Sequence, residues 1–184
     1  MGAAEELIDI IDEHDNVIGT ASRTRLRAEK LLHRGVFVIV LTSDNRIVVQ
    51  QRSATKDIWP SRWDIGAGGL VSSGESYDAS AQRELLEELG IEAPLQFLAM
   101  DRFGSDEVSL IGAIYLARHD GPFHFVDGEV VAVETLTLGE FTVARSERSW
   151  CPDALAISTP WIETVLNRDP QAIVPQSIER SALE

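Results

Sequence analysis

The chain is poor in positive charge, in cysteine and in long apolar runs. Its 184 residues hold 16 Lys and Arg against 30 Asp and Glu, a formal net charge of −14. A surface of that sign repels polyanions, which argues against a nucleic acid polymer as partner. A small anionic substrate stays open, because a bound divalent cation inverts the local field. The one cysteine, Cys151, has no second thiol for an internal disulfide, which points to a reducing compartment and a cytoplasmic location. No apolar run approaches the ~20 residues a spanning helix needs, so no membrane partner is expected. The start, MGAAEELID, is acidic and lacks the basic opening of a signal peptide. Glu6 stands where the myristoylation pattern needs Ser or Thr.

What remains is ordinary for a globular protein: 44% hydrophobic and 25% charged residues. The length suits a single domain over 1–184, with a core at about 7–168 and a loosely held tail at about 169–184. Leu7–Ile11 and Val17–Thr20 flank a polar turn and read as a hairpin. Arg23–Lys30 suits a short helix. Gly35–Leu41 is a continuous β-branched and aromatic run, as in a strand buried on both faces. Ile47–Gln51, Gln96–Met100, Leu110–Ala117 and Glu129–Thr135 read as further strands. Thr137 and Glu140 have capping-box spacing, and Thr159-Pro160 is placed to start a final helix through about Asn167.

The richest segment is 69–91, GLVSSGESYDASAQRELLEELGI. From about Ser76 to Leu89 it has no Pro or Gly and is filled with good helix formers. Gly90 follows where a left-handed cap is expected. Ala81, Leu85 and Leu89 form an apolar stripe. Glu84, Glu87 and Glu88 fall at i, i+3 and i+4, so their carboxylates crowd one face; Arg83, four residues before Glu87, offsets part of the repulsion. A solvated acidic face is the bland account of such a run. A cation among the carboxylates is the alternative, and magnesium, which takes oxygen ligands and shares them with phosphates, suits it. Gly66-Ala67-Gly68-Gly69 just before would let backbone approach a ligand closely, as a loop leading into the helix.

Gly69, Glu75, Arg83-Glu84, Glu87-Glu88 and Gly90-Ile91 together reproduce the full G-x5-E-x7-R-E-U-x-E-E-x-G-U pattern, and the segment resembles the signature of the Nudix hydrolases. The resemblance implies an α/β fold, the Nudix α/β/α sandwich with a mixed sheet. It implies hydrolysis of a diphosphate linkage with Mg2+ or Mn2+, held by the carbonyl of Gly68 and by Glu84, Glu87 and Glu88. Catalysis would fall to those glutamates, Glu84 serving as ligand or base. Glu75 would orient them, Arg83 would pair with them, and Gly69 and Gly90 would support the motif.

Residues 31–64 are similar to the matching stretch of type 1 isopentenyl diphosphate isomerases, and weaker likeness extends over roughly 7–165. That likeness implies diphosphate contacts from Arg52, Lys56 and Arg83, and a metal-ligand match at His33. It places Glu107, the first candidate base or substrate contact outside the helix, near that family's metal-binding glutamates; Glu129 is a further candidate base. The isomerase's cysteine is missing from Gly66–Gly69, and its Cys and Tyr in the helix are replaced by Glu84 and Glu87. A hydrolase on an isomerase-like scaffold is therefore expected. A Nudix-fold binding or regulatory module without turnover, or an isomerase, are the alternatives. The expected substrate is a small-molecule diphosphate, a nucleoside diphosphate or one linked to another group. The NADH-pyrophosphatase and ADP-ribose markers are absent, and Trp59, Trp63, Phe103 and Trp150 are better suited to a core than to stacking on a base. A homodimer is left open.

Overall fold

The β-branched run at the centre of the chain organises the rest. The computed structural model describes residues 5–125 and 128–167, and the proposed tail at 169–184 lies outside them. In chain order the elements are β1 (Leu7–Ile11), β2 (Val17–Ser22), α1 (Arg23–Glu29), β3 (His33–Leu41), β4 (Ile47–Arg52), β5 (Trp63–Ile65), β6 (Ala67–Leu70) and α2 (Tyr77–Leu89). Then come β7 (Gln96–Gly104), β8 (Ser109–Arg118), β9 (Val130–Leu136), α3 (Leu138–Glu147) and α4 (Pro152–Asn167).

β3 is flanked on one edge by β6, antiparallel, and on the other by β8, parallel from His33↔Leu110 to Leu41↔Arg118. β7 extends the sheet antiparallel to β8. β4, β5 and β9 form an antiparallel group that joins β3 at Leu41↔Ile47. The β1–β2 hairpin attaches through Ile10↔His33. The sheet is thus mixed.

Alternation along β3 assigns the two layers. Val36, Val38 and Val40 meet Ala81, Leu85 and Leu89 of α2 on one face. Phe37, Ile39 and Leu41 meet Ile157, Ile162 and Val165 of α4 on the other. This period of two, met by a helical stripe on each side, makes the α/β/α sandwich. Trp59 and Trp150 belong to the α4-side core, and Trp63 and Phe103 pack against it, as their composition suggested.

Two expectations change. α4 begins at Pro152, not at Thr159-Pro160, and Pro160 lies inside it. An interior proline costs roughly 3 kcal/mol. Each buried aliphatic side chain returns about 1.5–3 kcal/mol, and Ile157, Ile162 and Val165 together outweigh the proline. Second, the glycine segment is not simply a loop: Ala67–Leu70 is a strand paired to β3. Glycine's poor strand propensity hides it, and the close approach of β3 explains it. A Cβ on Gly68 would lie 2.5 Å from the Val36 carbonyl oxygen.

Candidate active site

The helix that carries the carboxylates is fixed at both ends by its own sequence. Ser76 caps α2 by accepting from the Ala79 amide at 3.2 Å, and Gly90 closes it at φ 64°. Burial of Ala81, Leu85 and Leu89 then sets the rotation of the helix. Glu84 and Glu88 are drawn toward β6, while Glu87 stays exposed.

Glu84 is 8% exposed and rests against Gly69. Burial, followed by the neighbouring Glu88 charge, raises its pKa to about 8 even though Arg83 opposes the shift. Glu88, 1% exposed, accepts from Gln50 Nε2 at 2.6 Å and from the Gly68 amide at 3.1 Å. Burial raises its pKa too, against the pull of Lys56. The side-chain oxygen of Gln50, Oε1, is buried without a partner among the described residues.

Gly68 spends its amide on Glu88, and it stands opposite Phe37 in the β3–β6 register. Facing residues of an antiparallel pair are either mutually bonded or both turned away. Gly68 is of the second kind, so its carbonyl also points off β3, on the side of Glu88.

Arg83 ties the acidic groups together. Its guanidinium holds Glu75 through two bonds of 3.1 and 3.0 Å, Glu84 at 2.7 Å, Glu87 at 2.9 Å and the Leu70 carbonyl at 3.0 Å. Its pKa is raised: burial works against the charge, and the bonds to Glu75 and Glu84 more than restore it. Among the described residues, no three carboxyl, imidazole or thiol groups already converge as a ligand set. Arg83 engages Glu84 and Glu87 through one nitrogen, while Gln50 engages Glu88.

A cleft of about 440 Å³ opens over this surface. Glu84, Glu87, Arg83, Gly68 and Gly69 line it, together with Arg52, Lys56 and Glu129. Glu88 lies one layer deeper and is not on the wall. Lys56 pairs with Glu129 and lies 3.5 Å from Glu88. Arg52, 7% exposed, reaches Asp64 at 3.4 Å and the Ile58 carbonyl at 3.3 Å. Glu107 accepts from the Trp59 indole and, unlike Glu129, is not among the described residues on the wall. His33 is on the wall; its Nδ1 faces the Leu31 carbonyl at 2.8 Å and its Nε2 has no partner among the described residues. Burial lowers its pKa to about 4, which keeps it neutral.

Sequence reasoning missed Gln50, Asp64, Asp153, Arg23 and Arg27, which line or support the cleft. Gln50 could have been found, since a polar side chain in an otherwise apolar strand needs a partner. The others come together only through the fold. Cys151, distant along the chain, proves to neighbour Asp64 and Arg52. It is 1% exposed, and burial, then the Asp64 charge, pushes its thiol far above the ordinary range. It is a packed small residue and not a thiolate nucleophile.

Carboxylates beside a cleft rimmed with guanidinium groups suit a phosphate-bearing ligand. Comparisons with known proteins agree. Residues 31–154 match the NUDIX domain family. The chain is 36% identical over 176 residues to an uncharacterized Nudix hydrolase of Yersinia pestis, covering 95% of each. It is 36% identical over 163 residues to the uncharacterized Nudix hydrolase YfcD of Escherichia coli K12, covering 88% of this chain and 89% of that one. The crystal structure of DR0079 from Deinococcus radiodurans superposes with a TM-score of 0.70 at 26% identity, covering 86% and 98%. The chain belongs to the Nudix hydrolases, divalent-metal-dependent enzymes that cleave pyrophosphate bonds in small molecules. No helix among the described residues is long and apolar enough to cross a membrane.

Proposed function

We propose that this enzyme hydrolyses a nucleoside diphosphate, or a nucleoside diphosphate linked to another group, with Mg2+ or Mn2+ held by Gly68, Glu84, Glu87 and Glu88. The observation that carries the proposal is the buried carboxylate pair, Glu84 and Glu88, facing Arg83 and Lys56 beneath one cleft. Burial and mutual repulsion disfavour the ionised forms of both, and a divalent cation reverses that balance. Gly68's outward carbonyl and the unpartnered oxygen of Gln50 add hard donors nearby, so the residues fit the ion. When bound, magnesium neutralises phosphate charge and lowers the pKa of an attacking water.

The chain's own residues do the rest. Arg52 and Lys56, which line the same cleft, bind diphosphate oxygens. Arg83 keeps Glu75, Glu84 and Glu87 in register through its forked bonds. Glu84 takes the proton of the water that attacks phosphorus in line. It lies on the wall against a glycine strand, whereas Glu88 is beneath the surface and Glu107 is engaged by Trp59. Glu129 also lines the cleft, where it pairs with Lys56.

The scaffold likeness to isopentenyl diphosphate isomerases rests on residues 31–64, where Arg52 and Lys56 occupy the cleft wall. Isomerase chemistry has no cysteine to use there, and the lone buried thiol fits a cytoplasmic protein. A module without turnover would have no use for self-repelling buried carboxylates. The test is a panel of nucleotides and nucleotide sugars with magnesium, scored for inorganic phosphate after coupling to a phosphatase. Release from a nucleoside diphosphate compound supports the assignment; silence across the panel overturns it.

A further inference from the structure

Among the described residues, five cationic side chains line the cleft, and they differ in how much of their hydrogen-bonding capacity is already used. Arg83 is saturated by Glu75, Glu84 and Glu87. Lys56 is held by Glu129 and Glu88. Arg23 places two bonds of 2.9 Å on Asp57 and one of 3.2 Å on Glu6. Arg52 has two long contacts and a buried Nε without a partner.

Arg27 is the outlier. It stands on α1, one turn beyond Arg23, so the two share a face. Among the described residues it makes no hydrogen bond, and its Nε is buried without an acceptor. Its one ion pair is to Asp57 at 3.8 Å, whose two oxygens are both taken by Arg23. Its side chain is only 22% exposed. Burial lowers its pKa; the Asp57 and Asp153 charges oppose the shift without overcoming it, and the Arg23 and Arg52 charges add to it. A shielded guanidinium beside two other cations, with donors to spare and a cleft in front of it, is unfavourable unless an anion completes it. The carboxylates of the helix cannot, because Arg83 and Lys56 already engage them.

We infer that Arg27, with Arg23 fixed beside it by Asp57, is a second anion subsite: it receives a further phosphate-type group of the substrate, beyond the two phosphorus centres of the cleaved linkage. The inference rests on the hydrolase reading above and narrows it to substrates bearing that extra anion, such as a triphosphate. Arg27 is a specificity-determining residue that touches the part of the substrate remote from the reacting phosphorus.

The test uses non-hydrolysable probes with magnesium present: methylenediphosphonate, and its homologue with three phosphorus centres joined by methylene bridges. Dissociation constants are measured by calorimetry. The wild type should bind the longer probe about ten- to a hundredfold more tightly, the worth of a charge-assisted contact. Arg27→Ala should cut that ratio to about threefold or less and leave the affinity for methylenediphosphonate within about twofold. Arg27→Lys, which keeps the charge and loses the fork, should fall between. An equal ratio in Arg27→Ala and wild type would overturn the inference. So would a wild type that binds the shorter probe yet shows no preference for the longer one; the diphosphate site would then stand. Failure of the wild type to bind either probe would sink the hydrolase reading along with it.

Discussion

Gly69 and Glu84 are in such close approach that a methyl group added to Gly69 would lie 2.3 Å from the Glu84 carboxylate oxygen. The motif glycine is therefore a space requirement of the motif glutamate. Gly69→Ala must push Glu84 off its present position. The obstructing atoms are the end of a side chain, not backbone, so the fold should survive. Misplacing a catalytic group by about 1 Å can cost on the order of a hundredfold in rate. We expect turnover to fall by roughly ten- to a hundredfold while the melting temperature drops by only a few degrees. Turnover within twofold of wild type would show that the position of Glu84 does not matter.

Magnesium should stabilise the folded protein, because a ligand that binds only the native state raises its stability by mass action. Glu87→Gln removes one donor from the exposed rim of the cluster, and Arg83 keeps its bonds to Glu75 and Glu84. The metal-free variant should melt within a degree or two of wild type. Added magnesium should raise its melting temperature less than it raises that of the wild type. Equal shifts in a thermal scan would place the ion elsewhere.

Stability should also depend on pH through Asp153, which lines the cleft together with Asp64. Burial, and then the Asp64 charge, raises its pKa from 3.8 to about 7. The folded state thus holds this proton more tightly than the unfolded chain does. The stabilisation it gives is complete below about pH 3.8 and is lost as pH rises through about 7. Asp153→Asn cannot ionise, so its denaturation midpoint should decline less across that window. The difference should be on the order of a few kcal/mol at most. Parallel pH profiles for the two proteins would contradict the raised pKa of Asp153.

Lys56 has two tasks that one substitution separates from its neighbours. Lys56→Ala removes the proposed diphosphate contact and the cation beside buried Glu88. A lost charge-assisted bond is worth about 1.5–3 kcal/mol, so kcat/KM should fall roughly ten- to a hundredfold, mostly through KM. Arg52→Ala should act in the same direction. Neither protein, nor the wild type, should interconvert isopentenyl and dimethylallyl diphosphates. Unchanged kinetics in the Arg52→Ala/Lys56→Ala double variant would remove the assigned diphosphate wall, and any isomerisation would contradict the hydrolase assignment.

Most of this architecture was legible in the sequence because it depends on local spacing. The helix that ends at Gly90 declares its C-terminal cap and its apolar stripe. The β-branched run of β3 declares burial on both faces. The acidic signature can be read for the same reason, since i, i+3 and i+4 fix a common face whatever the rest of the fold does. The distinction between Glu87 at the rim and Glu88 beneath the surface could not be read, because it depends on how α2 is rotated against β6. Strand β6 was hidden by its glycines, and the true start of α4 by Pro160, whose local signal lost to the burial of Ile157 and Ile162. Arg23 and Arg27 read only as a basic segment, because their shared cleft is built by contacts between elements far apart in the chain.

The central claim is that a divalent cation on the α2 carboxylates drives hydrolysis of a diphosphate linkage. The most direct measurement is phosphate release from the best nucleoside diphosphate substrate, with magnesium and with excess chelator, for wild type and Glu87→Gln. The account predicts magnesium-dependent release by the wild type, none in chelator, and at least a hundredfold loss in Glu87→Gln at an unchanged melting temperature. Full activity in excess chelator, or in the variant, would contradict it.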